Sequence, residues 1–313
     1  MPIIVNNLFR VDYKVGEGGF GQVYAGMQLT PTHVVPQLTF SLGTELSTGR
    51  QVALKLMHNS EETSVIENEA RIHEALAGGT GIARFLWFGA EGEYFVLAHE
   101  LLGPTLCDLK QYSGYRFSLK TILMLADQAI MRLAFMHRKG YVHRDVKPEN
   151  FLMGSGRRGN VLYIIDFGIS RRLVETGRRR KQQQGLQFIG TGLYASINNH
   201  KGRGYVLLHW ALGSLPWQGS GLNTHQETEV ANQKKTSMSS TELCRGLPDE
   251  FRKYLDYVKS LKYRERPNYS YLRRLFSNLF KARGLKYDHI YDWTEKRFHE
   301  LHEKNQREEA DPW

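Results

Sequence analysis

The hydrophobic rhythm of the chain changes near residue 103. Before that point apolar residues tend to recur at every second position. Residues 9–16 and 22–26 alternate in this way, as does Gln51-Val52-Ala53-Leu54-Lys55-Leu56, which predicts three strands. The first two would form a hairpin joined by Gly16-Glu17-Gly18-Gly19-Phe20-Gly21. Residues 61–77 break the alternation, with Val65, Ile66, Ile72 and Leu76 at helical spacing and Gly78-Gly79 as a stop. Residues 83–88 and 94–98 return to strand-like runs, which completes a small antiparallel sheet with one helix. After Gly103-Pro104 the pattern turns helical. The longest helix is predicted over about residues 118–139, with Ile122, Leu125, Ala129, Leu133 and Met136 on one face. Short strands are expected around residues 143–150 and 166–168, and helices resume from Asp249. Residues 295–309 are so densely charged that a solvated helix or a frayed end is expected. No internal repeat is present, and the fold class is α+β, with sheet and helices segregated along the chain.

Composition narrows this picture. The chain has 313 residues, 41% hydrophobic and 24% charged, which suits one bilobal unit or two domains with an ample core. Cys107 and Cys244 are the only cysteines, so neither a disulfide framework nor a structural zinc site is expected, and a reducing compartment is. Residues 1–8 lack a basic segment followed by an apolar run, so no secretory signal is expected. No apolar run approaches the roughly 20 residues that a membrane span needs. An intracellular location, cytoplasm or nucleus, follows as the expectation. The net charge of +10 is densest at Arg178-Arg179-Arg180-Lys181, just after Arg171 and Arg172. A solvated basic loop is the plain interpretation; a docking patch for acidic substrates or a nuclear-import signal are the sharper ones. Nucleic-acid binding ranks last, because no recognised nucleic-acid module accompanies the charge.

The candidate chemistry sits in His143-Arg144-Asp145-Val146-Lys147-Pro148-Glu149-Asn150 and in Asp166-Phe167-Gly168. These residues supply a carboxylate to orient a hydroxyl, an amine for moving phosphate charge, and oxygen ligands for Mg²⁺, the set required for phosphoryl transfer from ATP. Asp145 is the candidate for the hydroxyl proton and Lys147 for the transferring phosphate. Asn150 and Asp166 would ligate Mg²⁺, a hard ion suited to amide and carboxylate oxygens. His143 is expected to be a packed, hydrogen-bonded scaffold residue rather than a base. Gly16-x-Gly18-x-x-Gly21-x-Val23 would let backbone close over phosphates. Alone it also fits a plain hairpin turn; a dinucleotide-binding turn would open a helix rather than a second strand. Lys55 in the third strand would reach the α- and β-phosphates, held by Glu69 of the following helix. Glu67 is the fallback partner, but it lies about 200° around that helix from Glu69.

The eight residues from His143 resemble the catalytic loop of eukaryotic protein kinases, and further segments resemble the casein kinase 1 family. These are Leu101-Leu102-Gly103-Pro104-Thr105-Leu106, Ser196-Ile197-Asn198, Leu212-Gly213-Ser214-Leu215-Pro216-Trp217-Gln218-Gly219, Gly246-Leu247-Pro248-Asp249-Glu250-Phe251 and Arg266-Pro267-Asn268-Tyr269-Ser270-Tyr271-Leu272. The similarity covers about residues 9–293. It implies a bilobal protein kinase fold: an N-lobe over residues 1–102, a larger, mainly helical C-lobe over 103–285 and a charged tail over 286–313. It also implies a monomeric Ser/Thr kinase that needs no activation-loop phosphorylation and favours acidic or pre-phosphorylated protein substrates. By the same resemblance, adenine would bind the backbone between Glu100 and Leu102, with Leu152 below the ring and Val15 and Ala53 completing the nucleotide site.

The chain departs from the family pattern in several places. Residues 27–42 are extra between the second and third strands, and read as a surface loop or as translated intron. Between Gly202 and Tyr205 the chain is short by about three helical turns, which would remove the first half of the large lobe's central helix. No Asp occurs between Asp166 and Asp249 to hold the His-Arg-Asp turn from that helix. Leu193 stands where the family's anion site has Arg, and His225-Gln226-Glu227-Thr228-Glu229 replaces a basic cluster. His99, at the back of the adenine pocket, is expected to be a packed neutral histidine. A kinase-fold scaffold that binds nucleotide but turns over poorly is therefore the rival expectation to an active enzyme.

Overall fold

The computed structural model describes residues 3–18, 38–59, 63–173, 205–218, 225–262 and 265–310. The chain divides into two compact units. One comprises Met1–Gly103, Phe135–His143 and Glu149–Val174, and the other Pro104–Ala134, Arg144–Pro148 and Glu175–Trp313.

The first unit is built on a six-stranded antiparallel sheet. Its strands are β1 (Ile3–Val5), β2 (Phe9–Gly18), β3 (Leu38–Glu45), β4 (Gln51–His58), β5 (Phe85–Glu91) and β6 (Tyr94–Glu100), in the order β1-β2-β3-β4-β6-β5. The period-two alternation of β4 determines which side chains reach each face. Val52 and Leu54 join Val5, Phe9, Val96 and Ala98 in one apolar cluster. Met57 faces the other way, packing with Leu97 against Ile66 and Ala70 of helix α1 (Ser64–Leu76). Lys55 shares the Met57 face and is thereby carried to α1.

Two features of this sheet differ from the sequence-based expectation. β2 pairs with residues 38–45, from Phe9↔Glu45 to Gly18↔Leu38, so the end of the expected 27–42 loop is strand. The cause is visible in the residues: Leu38, Phe40 and Leu42 alternate with Thr39 and Ser41. Residues 22–26, the expected second strand, lie outside the described residues. The edge strand β1 was not foreseen. It is turned into β2 at Asn6 and Asn7, whose φ values of 47° and 51° lie in the left-handed region that asparagine tolerates. Two small ladders complete this unit, β7 (Tyr141–Val142) with β10 (Arg171–Arg172) and β8 (Phe151–Met153) with β9 (Leu162–Ile164).

The second unit is helical: α2 (Leu106–Tyr112), most of α3 (Leu119–Arg138), α4 (Val206–Leu212), α5 (His225–Ser237), α6 (Ser240–Leu243), α7 (Asp249–Ser260), α8 (Tyr269–Ala282) and α9 (Asp292–Ala310). The predicted face of α3 is buried, with Ile122, Leu125, Ala129, Leu133 and Met136 all in the core, and Leu123, Met124, Ala126 and Ile130 beside it are buried too. Phe276 of α8 packs on Phe251 and Tyr254 of α7 at ring separations of 5.3 and 5.5 Å. Helix α4 has only seven residues, and buried Trp210 and Trp217 lie on and just after it. The Lys235 ammonium sits 5.9 Å from the Tyr205 ring and 5.6 Å from that of Trp217, rings that meet edge to face at 4.8 Å. The charged segment after residue 292 is helical and held at several points. Asp292 accepts from the Ser118 amide and hydroxyl, both at 2.6 Å, and Glu300 accepts from the Tyr112 hydroxyl at 2.5 Å. Lys296 lies over the Tyr112 ring at 4.6 Å. Among the described residues no helix is long and apolar enough to cross a membrane.

Candidate active site

At the centre of the first unit is a buried ionic group. Lys55 Nζ donates to Glu69 Oε2 at 2.5 Å and to Asp166 Oδ1 at 3.0 Å. The Lys55 and Glu69 side chains are 3% and 4% exposed and that of Asp166 is 13% exposed, so Asp166 is the member open to a ligand. Burial by itself would drive the Lys55 ammonium toward neutrality. The Asp166 and Glu69 charges outweigh it and hold Lys55 above the ordinary lysine range, so it stays cationic. Burial, reinforced by Asp166, lifts the Glu69 carboxyl, and Lys55 opposes that lift. Glu67, the fallback partner, is exposed and accepts from the Thr63 hydroxyl at 3.0 Å. The helical phase of α1 thus selects Glu69.

Asn150 belongs to the same unit and is 1% exposed. Its carbonyl accepts from the Ile165 amide at 3.0 Å, at the end of the β8–β9 ladder where Phe151 faces Ile164. That pairing puts the residues bearing the expected amide and carboxylate oxygens at one end of one ladder. Asp166 has φ of 65°, a left-handed value that is costly for a residue with a Cβ and persists where surrounding bonds fix it. His143 supplies one such bond, its Nε2 donating to the Ile165 carbonyl at 2.8 Å, and its ring meets Phe167 at 5.6 Å. His143 is therefore a buried scaffold residue, as expected. Oxygen donors from one carboxylate and one amide fit Mg²⁺, which keeps waters and phosphate oxygens for its remaining positions.

The strands place the remaining nucleotide-site candidates as follows. Val15, Gly16 and Gly18 lie on β2, and Gly21 and Val23 fall outside the described residues. Ala53 on β4 pairs with His99 on β6, and Leu152 on β8 pairs with Tyr163. Glu100 closes β6, exchanging with Arg84 a backbone bond at 3.0 Å and a side-chain bond at 2.9 Å. The chain beyond Leu102 is fixed to β8, because the Gly103 amide donates to the Met153 carbonyl at 2.8 Å. Ser155 Oγ donates to the Leu101 carbonyl at 3.2 Å. His99 Nδ1 donates to the Glu100 carbonyl at 2.9 Å, and burial lowers its pKa, so it is the packed neutral imidazole expected. Its ring stacks on His73 of α1 at 5.8 Å, and His73 meets Phe167 edge-on at 4.9 Å.

Asp145 and Lys147 fall in the second unit. They form an ion pair at 2.8 Å with side chains 2% and 7% exposed, and Arg144 before them has φ of 73°. Sequence reasoning missed His73 and Asn68. His73 sits four residues after Glu69, on the same helix face, a spacing that marks it as a neighbour. Asn68 has no sequence signal, because its bonds are made to the backbone a hundred residues away.

The model of the protein kinase domain family matches residues 39–274, which is most of the chain. The chain belongs to the protein kinase domain family, and its antiparallel sheet region and helical region are the α+β arrangement of that fold.

Proposed function

We propose that this protein is a serine/threonine protein kinase of the casein kinase 1 type, transferring the γ-phosphoryl group of Mg-ATP to hydroxyls of acidic protein substrates. The observation that carries the proposal is the buried Lys55–Glu69–Asp166 group with Asn150 at the end of the neighbouring ladder. The two carboxylates keep the buried Lys55 cationic, the state in which it can bind a phosphate once Asp166 is engaged by a metal ion. Lys55, aligned by Glu69, orients the α- and β-phosphates, and Asn150 and Asp166 hold Mg²⁺, which neutralises charge developing on the phosphates. The strand β2, with Val15, Gly16 and Gly18, covers the nucleotide; Ala53, Leu152 and the backbone of Glu100 to Leu102 hold adenine. The substrate hydroxyl oxygen bonds to the γ-phosphorus as the bond to ADP breaks, its proton passes to Asp145, and Lys147 stabilises the moving group. Exposed Arg171 and Arg172 favour acidic sequences around the acceptor. A monomer in the cytoplasm or nucleus completes this proposal.

A second interpretation, a kinase-fold scaffold that binds nucleotide but turns over poorly, is favoured by one observation. Helix α4 is seven residues long, its N-cap Tyr205 makes no side-chain cap bond, and no Asp precedes it after Asp166. The test is Mg-dependent phosphorylation of an acidic Ser/Thr peptide. Asp145→Asn is expected to lower turnover by about 10²–10⁴-fold, and Lys55→Met to abolish it. Wild-type transfer no greater than that of Asp145→Asn, with ATP binding intact, selects the scaffold.

A further inference from the structure

Asn68 precedes Glu69 on α1, and its side-chain amide is turned onto the backbone that follows Asp166. Nδ2 lies 2.8 Å from the Gly168 carbonyl, 3.0 Å from that of Ser170 and 3.4 Å from that of Phe167. Oδ1 accepts from Arg71 Nη2 at 3.2 Å, which fixes the amide's orientation: oxygen toward the guanidinium, NH₂ toward the three carbonyls. The carbonyls converge because residues 167–170 form a turn, closed by the Ser170 amide donating to the Phe167 carbonyl at 2.9 Å. The far side of this turn is tied to the His143 carbonyl by Ser170 Oγ at 3.0 Å. Contact with α1 is close enough that a Cβ at Gly168 would meet Val65 Cγ1 at 2.7 Å. One turn of helix therefore grips both sides of the site: Glu69 holds Lys55, and Asn68 holds the backbone that carries Asp166.

We propose that Asn68 is a positioning residue that latches the 167–170 turn onto α1, so that the metal-binding carboxylate of Asp166 and the phosphate-binding ammonium of Lys55 are set by one rigid element. This rests on the proposed role of Asp166 toward Mg²⁺. The latch uses only side-chain amide and backbone groups, so it needs no added phosphate to order the turn. An apolar residue at position 68 leaves three carbonyls without their common donor. A carboxylate there turns an acceptor toward acceptors. Either change frees the Asp166 backbone to leave its left-handed conformation, and the loss falls on metal affinity rather than on nucleotide contacts made elsewhere.

The experiment is calorimetric titration of ATP into the full chain, with Mg²⁺ varied from chelated to millimolar, for wild type, Asn68→Leu and Asn68→Asp. Both variants are expected to keep the wild-type affinity for metal-free ATP and to need about 10–100-fold more Mg²⁺ for the same tightening, the usual scale for losing a group that orients a metal ligand. An unchanged Mg²⁺ requirement overturns the latch, and so does an equal loss of metal-free and Mg-loaded binding, which marks general damage to the fold. A wild type that binds no ATP with or without Mg²⁺ fails the nucleotide proposal instead. The latch is then judged in the ligand-free protein by hydrogen exchange of the Ser170 amide, which closes the turn onto the Phe167 carbonyl. It should exchange about tenfold faster in Asn68→Leu, as expected for one lost net hydrogen bond; unchanged protection overturns the latch.

Discussion

His73 is a buried imidazole whose charge state the fold dictates. It is 1% exposed, stacked on His99 and edge-on to Phe167, and burial, with the neighbouring His99 and Lys55, lowers its pKa to about 3. His209 is lowered to about 3 as well, by burial and by Lys110, whose ammonium lies 3.3 Å away. Both folded-state values lie below the ordinary 6.5, so the unfolded chain binds more protons as the pH falls. The stability these rings contribute is complete above pH 6.5 and is lost progressively between 6.5 and about 3. Each ring is predicted to remove about 1.4 kcal/mol per pH unit in that window. Urea denaturation at pH 7.5, 6.5, 5.5 and 5.0 should show the decline, and His73→Leu should flatten it by one histidine's share. An identical pH slope in the variant would refute a buried neutral His73. The imidazole at position 99 was legible from its place beside the segment proposed to bind adenine, but its stacking on His73 was not, because helix-to-strand ring contacts leave no periodic trace. Lys55, Glu69 and Asp166 were legible because their spacing is set by chemistry.

At the scale of elements, strands and helices with an unbroken period were the ones that sequence could locate. The α3 face and β4 follow directly from spacings of 3–4 and of 2, although both elements bury residues on their other sides as well. β3 was obscured because its alternation starts inside a stretch with Pro31 and Pro36 and no consistent period. The anchoring of α9 was obscured for another reason: its contacts are polar. Asp292 stands at the start of α9 and accepts from the Ser118 amide, while Ser118 Oγ accepts from the Thr121 amide at 3.2 Å, so one carboxylate ties the start of α9 to the start of α3. Asp292→Ala is predicted to destabilise the protein by about 1–2 kcal/mol, the usual scale for a lost cap. It should also speed limited proteolysis within residues 292–310, and a cleavage rate equal to wild type would mean that the other α9 contacts suffice. At the start of α2, Thr105 and Asp108 form a reciprocal capping box, with the Asp108 amide donating to Thr105 Oγ1 at 3.0 Å and the Thr105 amide to Asp108 Oδ2 at 3.1 Å. Thr105→Ala should lower the unfolding free energy by about 1 kcal/mol without changing ATP affinity, read by denaturant titration with ATP binding as the control.

At the scale of the whole molecule, the candidate residues divide between the two compact units, those proposed for nucleotide binding in the first and those proposed for group transfer in the second. Lys55, Glu69, Asn150 and Asp166 all belong to the first unit, while Asp145 and Lys147 belong to the second. A ligand that binds only folded protein stabilises it by mass action, about 2.7 kcal/mol at a hundred times its dissociation constant. If the first unit holds Mg-ATP, saturating nucleotide should raise the melting temperature by several degrees, and excess chelator should remove the metal-dependent part of that shift. Asp166→Asn removes the charge proposed to hold the metal and should lose most of the Mg²⁺-dependent shift. Asp145→Asn removes only the group assigned to the hydroxyl proton and should keep the shift while losing phosphoryl transfer. Scanning calorimetry of the wild type and both variants, with ATP, Mg-ATP and chelator, separates these outcomes. A shift lost equally in both variants would show that the assigned division between binding and chemistry is wrong. A full shift in wild type with no transfer to peptide would place the defect in the second unit, where α4 has only seven residues.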